Sequence, residues 1–126
     1  DPSGTPINKK ISAENVFNNI PSFLGLAQAS QAITADASSQ VANVTSAVTE
    51  INATSATGAI SLADGAEGQI KTFINVSTSG TNNVVITPTN LRGGTTITLN
   101  AEGETVTCLF KNAKWNVIAG NGYVVA

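Results

Sequence analysis

Few side chains on this chain could do chemistry. They are Glu102 and Glu104 around Gly103, Asp64 and Glu67 within Asp64-Gly65-Ala66-Glu67-Gly68, the single Cys108, and the aromatics Trp115 and Tyr123. Two neighbouring carboxylates can share general acid and base work when they face each other across a substrate cleft. Glu102 and Glu104 sit at a predicted hairpin turn, where residues i and i+2 point into water. Asp64 and Glu67 could offer oxygens to Ca²⁺, but the spacing lacks the alternating acids and distal Glu of a calcium loop, so a turn between strands is the expectation. Cys108 alternates with Val106 and Phe110, and there is no histidine to activate it, which makes it a buried thiol. Trp115 and Tyr123 could form a carbohydrate platform, although one of each within a strand pattern reads as core or subunit-interface packing. Gly93, Gly94 and Gly103 are not followed by Gly-Lys-Ser/Thr, so no phosphate loop is present. Catalytic residues, metal ligands and cofactors are therefore expected to be none. Asn43-Val44-Thr45, Asn52-Ala53-Thr54 and Asn75-Val76-Ser77 are formal glycosylation sequons, expected by chance in a chain this rich in Asn, Ser and Thr.

Composition narrows the classes further. The chain has 126 residues, no histidine, no methionine and one cysteine, which excludes Ser-His-Asp and Cys-His nucleophiles and histidine or multi-cysteine zinc sites. Charged residues are 11%, with a net charge of -2, so there is no electrostatic footprint for nucleic acid. Ser, Thr and Asn together number 41, which builds a polar surface from small uncharged groups. No apolar run reaches spanning length, so no membrane insertion is expected. The chain opens at Asp1 without a basic or apolar leader, so a signal peptide is not expected, and the missing Met fits a processed or partial product.

Three segments differ in what they must position. Residues 1–26 contain Pro2, Pro6 and Pro21 with the apolar set Val16, Phe17, Ile20, Phe23 and Leu24, which predicts an extended arm with one short helix capped at Ser12 and ending before Pro21. Such an arm is too small to fold alone and calls for a partner surface. Residues 27–58 contain no Pro and no Gly before Gly58, and Ala37, Val41, Val44, Val48 and Ile51 recur at intervals of 4, 3, 4 and 3. That spacing predicts a coiled-coil-like helix whose seam is an oligomer interface. The same stripe could be the buried edge of a helix within its own domain. From residue 59 the period becomes two. Strands are predicted near 59–63, 69–77, 83–88, 95–100, 104–111, 114–119 and 122–126, an antiparallel sandwich or prism tip, with 83–88 as an edge strand ending at Pro88. No internal repeat of solenoid length is visible. The fold class read from these segments is mainly β with an N-terminal α segment, in three parts: arm 1–26, helical segment 27–58 and β-domain 59–126. A marginal β-domain behind a heptad stripe suggests a core shared between subunits.

The stretch Ser61-Leu62-Ala63-Asp64-Gly65-Ala66-Glu67-Gly68-Gln69-Ile70-Lys71, with Val85 to Leu91, Gly93 to Leu99 and Lys114-Trp115-Asn116-Val117, resembles the C-terminal β-domain of tailed-phage virion surface proteins, especially of marine and cyanobacterial phages. The opening Asp1-Pro2-Ser3-Gly4-Thr5 through Ser12 resembles a lead-in found in such proteins. The resemblance implies a virion surface location, a homotrimer, and another virion protein, such as the capsid, as partner. On that basis the expected function is a non-enzymatic capsid decoration or head-fibre protein. Its arm would dock through Val16, Phe17, Ile20, Phe23 and Leu24, and its seam would trimerise through Ala37, Val41, Val44, Val48 and Ile51. The alternative is the tip of a tail fibre, with loops near 79–83, 90–94 and 120–122 contacting host surface glycan. A polysaccharide enzyme using Glu102 or Glu104 is the third reading.

Overall fold

The structure is a computed structural model, and it describes residues 28–126. The described chain forms β1 (Ser30–Ala35), β2 (Gln40–Ala42), β3 (Val48–Ala53), β4 (Thr57–Leu62), β5 (Ile70–Asn75), β6 (Asn83–Pro88), β7 (Ile97–Leu99), β8 (Thr105–Lys111), β9 (Lys114–Asn121) and β10 (Val124–Val125). These build two five-stranded sheets, β1-β3-β5-β8-β9 and β10-β7-β6-β4-β2. The first six strands alternate between the sheets, and within them each strand pairs in parallel with the one two places on. The chain thus winds through three rungs of a flattened solenoid. It then reverses, and β7 to β10 extend both sheets with antiparallel pairs.

A β-rich fold is borne out, and the predicted strands from residue 59 onward coincide with β4 to β10. Several expectations are corrected. Residues 28–58 are not helical: they form β1, β2, β3 and the start of β4, with no helix among the described residues. The inward positions Ile33 and Ala35, then Thr49, Ile51 and Ala53, follow a period of two. The 4-3 spacing of the seam runs through the β1–β2 corner, β2, the β2–β3 corner and β3, and β-branched Val, Ile and Thr favour the extended backbone of the strands. The sheets are mixed rather than antiparallel. The division at residue 58 falls inside β4, and both sheets run through it. A repeat does exist, but its length is irregular. Ser30 pairs with Val48 and Val48 with Thr72, steps of 18 and 24 residues, while Gln40 to Ile60 and Thr57 to Asn83 step 20 and 26. Strand 83–88 is not an edge either, since β6 lies between β4 and β7. The short helix expected in the arm lies outside the described residues.

The core fills the space between the sheets. Ile51, Phe73, Val106 and Cys108 from one sheet meet Ile60, Leu62, Val84, Ile86, Ile97 and Leu99 from the other, all buried. At the corner between β3 and β4 the sheets are held together by small residues. A Cβ on Gly58 would lie 2.8 Å from the Ala53 Cβ and 3.1 Å from the Ala35 Cβ. Asn75 and Ser77 satisfy buried backbone nearby: the Asn75 amide donates to the Leu99 carbonyl at 3.1 Å, and Ser77 Oγ accepts from the Ala53 N–H at 2.7 Å.

Candidate functional site

The strongest chemical feature of the described chain is Lys71, which alternation places inward beside Phe73 on β5. Its side chain is fully buried, at 0% exposure. Nζ donates to the Ser46 carbonyl at 2.7 Å and to Thr49 Oγ1 at 2.8 Å, and it stands 5.1 Å from the Phe73 ring centroid. No carboxylate pairs with it: the one ion pair among the described residues joins Lys111 to Glu67. Burial pushes its amine down to about 8. The surrounding groups extend this polar seam. Gln31 Oε1 accepts from the Asn43 N–H at 2.9 Å, Gln31 Nε2 donates to the Val41 carbonyl at 3.2 Å, and Gln69 Nε2 donates to the Val44 carbonyl. Together they fasten the corner between β2 and β3 to the rungs on either side. An amine of lowered basicity could act as a nucleophile toward a carbonyl. Here it is closed off from solvent, and its hydrogens are committed to the corner. The role the geometry supports is structural.

Sequence reasoning does not single out Lys71 as a site, although the signal is present. In Ile70-Lys71-Thr72-Phe73-Ile74 the lysine shares the parity of a phenylalanine, which is the inward one.

The carboxylates do not converge. Glu67 accepts from the Ala113 N–H at 2.9 Å and the Asn112 N–H at 3.1 Å, with Lys111 Nζ at 3.2 Å. Asn112 and Ala113 both have positive φ, 54° and 57°, so the two-residue β8–β9 turn presents consecutive N–H groups to one side. These donors, Ala113 first, then Asn112 and Lys111, hold the Glu67 carboxyl below the usual carboxylate range. Asp64 is occupied elsewhere, accepting from Asn90 Nδ2 at 2.8 Å. No group of three or more His, Cys, Asp or Glu able to hold a metal occurs among the described residues. Glu102 is exposed on the β7–β8 turn, while Glu104 turns back to accept the Asn100 N–H and packs against Gly122.

Cys108 is buried, and burial pushes its thiol up to about 12, which removes it as a nucleophile at ordinary pH. Trp115 is a core residue and not a sugar platform. Its Nε1 donates to the Ala63 carbonyl at 2.9 Å, Phe110 meets it edge to face at 5.2 Å, and Gly65 lies against its ring. Tyr123 is partly buried against the core.

The seam residues are scattered. Ile51 is buried in the chain's own core, Val44 packs partly against that core, Ala37 is exposed, Val41 is 66% exposed, and Val48 is half-buried on the outer face of the β1 sheet. No helical seam brings them together. Val16, Phe17, Ile20, Phe23 and Leu24 lie outside the described residues. The three loops suggested for glycan contact are split. Asn82 donates to the Ala53 carbonyl, and Gly122 bridges Thr105, which places 79–83 and 120–122 at the end where β3 and β5 finish. The Arg92 N–H instead donates to the Trp115 carbonyl, at the opposite end.

No protein-family model matches this chain, and a search of curated proteins found no match.

Proposed function

We propose that this chain is a non-enzymatic structural protein of a phage virion surface, a trimeric capsid decoration or head-fibre protein. Residues 1–26 anchor it to the capsid through Val16, Phe17, Ile20, Phe23 and Leu24, and the two-sheet body projects outward. One observation supports decoration of a shell over a long fibre: residues 28–58 belong to the β-body, so no helical stalk separates the arm from it. A body whose first strand starts within a few residues of the apolar set Val16 to Leu24 suits a protein seated close on a surface. The closed core and the inaccessible lysine and cysteine favour a structural role in the same direction. The test is retention on capsids of the phage that carries the chain. Full-length protein is expected to bind particles lacking it, and the double variant Phe17→Asp, Ile20→Asp is expected to lose binding while keeping its circular dichroism spectrum. Undiminished decoration by the variant overturns the anchoring role. The alternative, a receptor-binding tail-fibre tip, draws on the shared end of loops 79–83 and 120–122, and it predicts saturable binding to host polysaccharide that substitutions in those two loops abolish.

A further inference from the structure

Inside the first rungs three polar side chains meet that an apolar β-core would not bring together. The register of β1 on β3 sets Gln31 directly beside Thr49, and alternation points both inward, in the parity of Ile33 and Ile51. Lys71 reaches across from β5, the next strand of the same sheet. Thr49 and Lys71 are fully buried, whereas Gln31 is half-buried on the edge strand. The contacts run in one line: Lys71 Nζ stands 2.8 Å from Thr49 Oγ1, and Thr49 Oγ1 donates to Gln31 Oε1 at 3.5 Å.

Each member is prepared for a reaction with the next. A hydroxyl becomes a nucleophile when a base beside it takes its proton, and burial pushes the Lys71 amine down to about 8, so a share of it is unprotonated at neutral pH. Unprotonated Lys71 keeps its bond to the Ser46 carbonyl and accepts the Thr49 hydroxyl hydrogen. Gln31 is the electrophile. Its amide oxygen accepts the Asn43 N–H at 2.9 Å, a donor that polarises the carbonyl and stabilises negative charge developing on that oxygen. Its nitrogen donates to the Val41 carbonyl at 3.2 Å, and the two contacts together fix the amide plane. No solute reaches Thr49 or Lys71, so the carbonyl they can act on is an internal one, and the same closure shields the product from water. The fold holds hydroxyl and amide in contact, which replaces a bimolecular encounter by a very high effective concentration.

We infer that Thr49 and Gln31 join in an ester that ties the edge strand β1 covalently to β3. Lys71 takes the Thr49 hydroxyl proton as Oγ1 attacks Gln31 Cδ, the carbon bearing Oε1, and the Asn43 N–H holds the oxyanion of the tetrahedral intermediate. On collapse the Cδ–Nε2 bond breaks, the proton passes from Lys71 to the departing nitrogen, and one ammonia leaves. One C–O bond forms and one C–N bond breaks, with no change of oxidation state and no other reactant. Gln31 is the least buried of the three, so ammonia has a way out, and its escape into bulk water makes the step irreversible. The place of the bond gives it a purpose. β1 has a neighbouring strand on one side only, and edge segments with few partners are the first to open from a sheet. The inference goes beyond the capsid reading and does not depend on it.

The test is the intact mass of the folded full chain. Wild type is expected to weigh about 17 Da less than its sequence, the mass of the ammonia released when the nucleophile displaces it. Proteolysis on the amino side of Asp36 separates Gln31 from Thr49, so tandem mass spectrometry should find the two fragments still joined. Thr49→Val, close in shape to threonine, and Gln31→Ala are expected at full sequence mass, while Thr49→Ser, which keeps a hydroxyl, is expected to lose ammonia as wild type does. Lys71→Met is expected to form the bond roughly 100-fold more slowly or worse, the usual contribution of a general base. Circular dichroism establishes that each variant is folded. Mild alkali should open the ester and release the fragments, whereas an amide link from Lys71 to Gln31 would resist it. Folded wild type at full sequence mass overturns the proposal. So does a loss of ammonia that persists in Thr49→Val, that maps to Asn121-Gly122 as a succinimide, or that leaves an alkali-resistant link. A folded Lys71→Met that crosslinks at the wild-type rate overturns Lys71 as the base.

Discussion

A lysine held inside a protein without a counter-ion is stable only because two oxygens and an aromatic face replace the water it loses. Lys71 has Ser46, Thr49 and Phe73 for that purpose. Its amine sits at about 8 in the folded chain against about 10.5 when unfolded, so between those values the unfolded chain holds a proton that the folded chain has released. Stability attributable to this group therefore rises with pH from about 8 to about 10.5. Urea unfolding of wild type and Lys71→Met across that window checks it: the difference between their unfolding free energies should grow in favour of wild type as pH increases. Lys71→Ala goes further, leaving a cavity and two unpaired acceptors, and is expected to cost about 3–5 kcal/mol by the same measurement. Glu67 titrates with the opposite sign. Its folded carboxyl lies below its ordinary value, so its grip on the β8–β9 turn is present at neutral pH and is lost as pH falls through the folded value. Glu67→Gln should speed amide exchange at Asn112 and Ala113 at neutral pH, as read by hydrogen-exchange NMR, with little change in the core strands.

Among the elements, the corner between β3 and β4, where β4 begins, tolerates little added bulk, because a side chain on Gly58 would meet Ala53 and Ala35. Gly58→Val is expected to destabilise by about 1–3 kcal/mol through overpacking, measured as a lowered denaturation midpoint at unchanged m value. The same corner marks where the strands become legible in the sequence. From β4 onward large inward residues such as Ile60, Phe73, Ile97, Val106 and Trp115 alternate with polar ones, and periodicity alone places the strands to within a few residues. In the first rungs the large inward residues Ile33 and Ile51 are isolated among Gln31, Ala35, Ala42, Thr49 and Ala53, small or polar inward residues that leave alternation little contrast. Alanine richness then suggests a helix, and valines from different strands happen to fall at heptad intervals. Parallel pairing is hidden for a related reason, since each partner lies about two strands away with another sheet between. Of the site residues, Cys108 and Trp115 are legible because flanking apolar residues fix their parity, whereas the pairing of Glu67 with a turn 45 residues away leaves no local trace.

At the scale of the whole molecule, the rungs keep register through their strands and not through their corners. The β5–β6 corner carries Gly80, which has open space where a side chain would begin, while the β3–β4 corner leads directly into Gly58, which packs against Ala53 and Ala35. Inserting four Gly/Ser residues between Ser79 and Gly80 is expected to cost less than about 1 kcal/mol, since lengthening a flexible loop adds little closure entropy, and the same insertion between Ser55 and Ala56 to cost several times more. Thermal unfolding of the two insertions, compared with wild type, distinguishes them. The uneven rungs carry one more implication, for ancestry. Steps of 18, 20, 24 and 26 residues place equivalent positions at no constant interval, so chains descended from a common rung can keep every inward position while sharing almost no aligned residue. Kinship in this architecture is written in which residues stack on which, as Ile33 stacks on Ile51 and Ile60 on Ile86, and not in the order of letters between them.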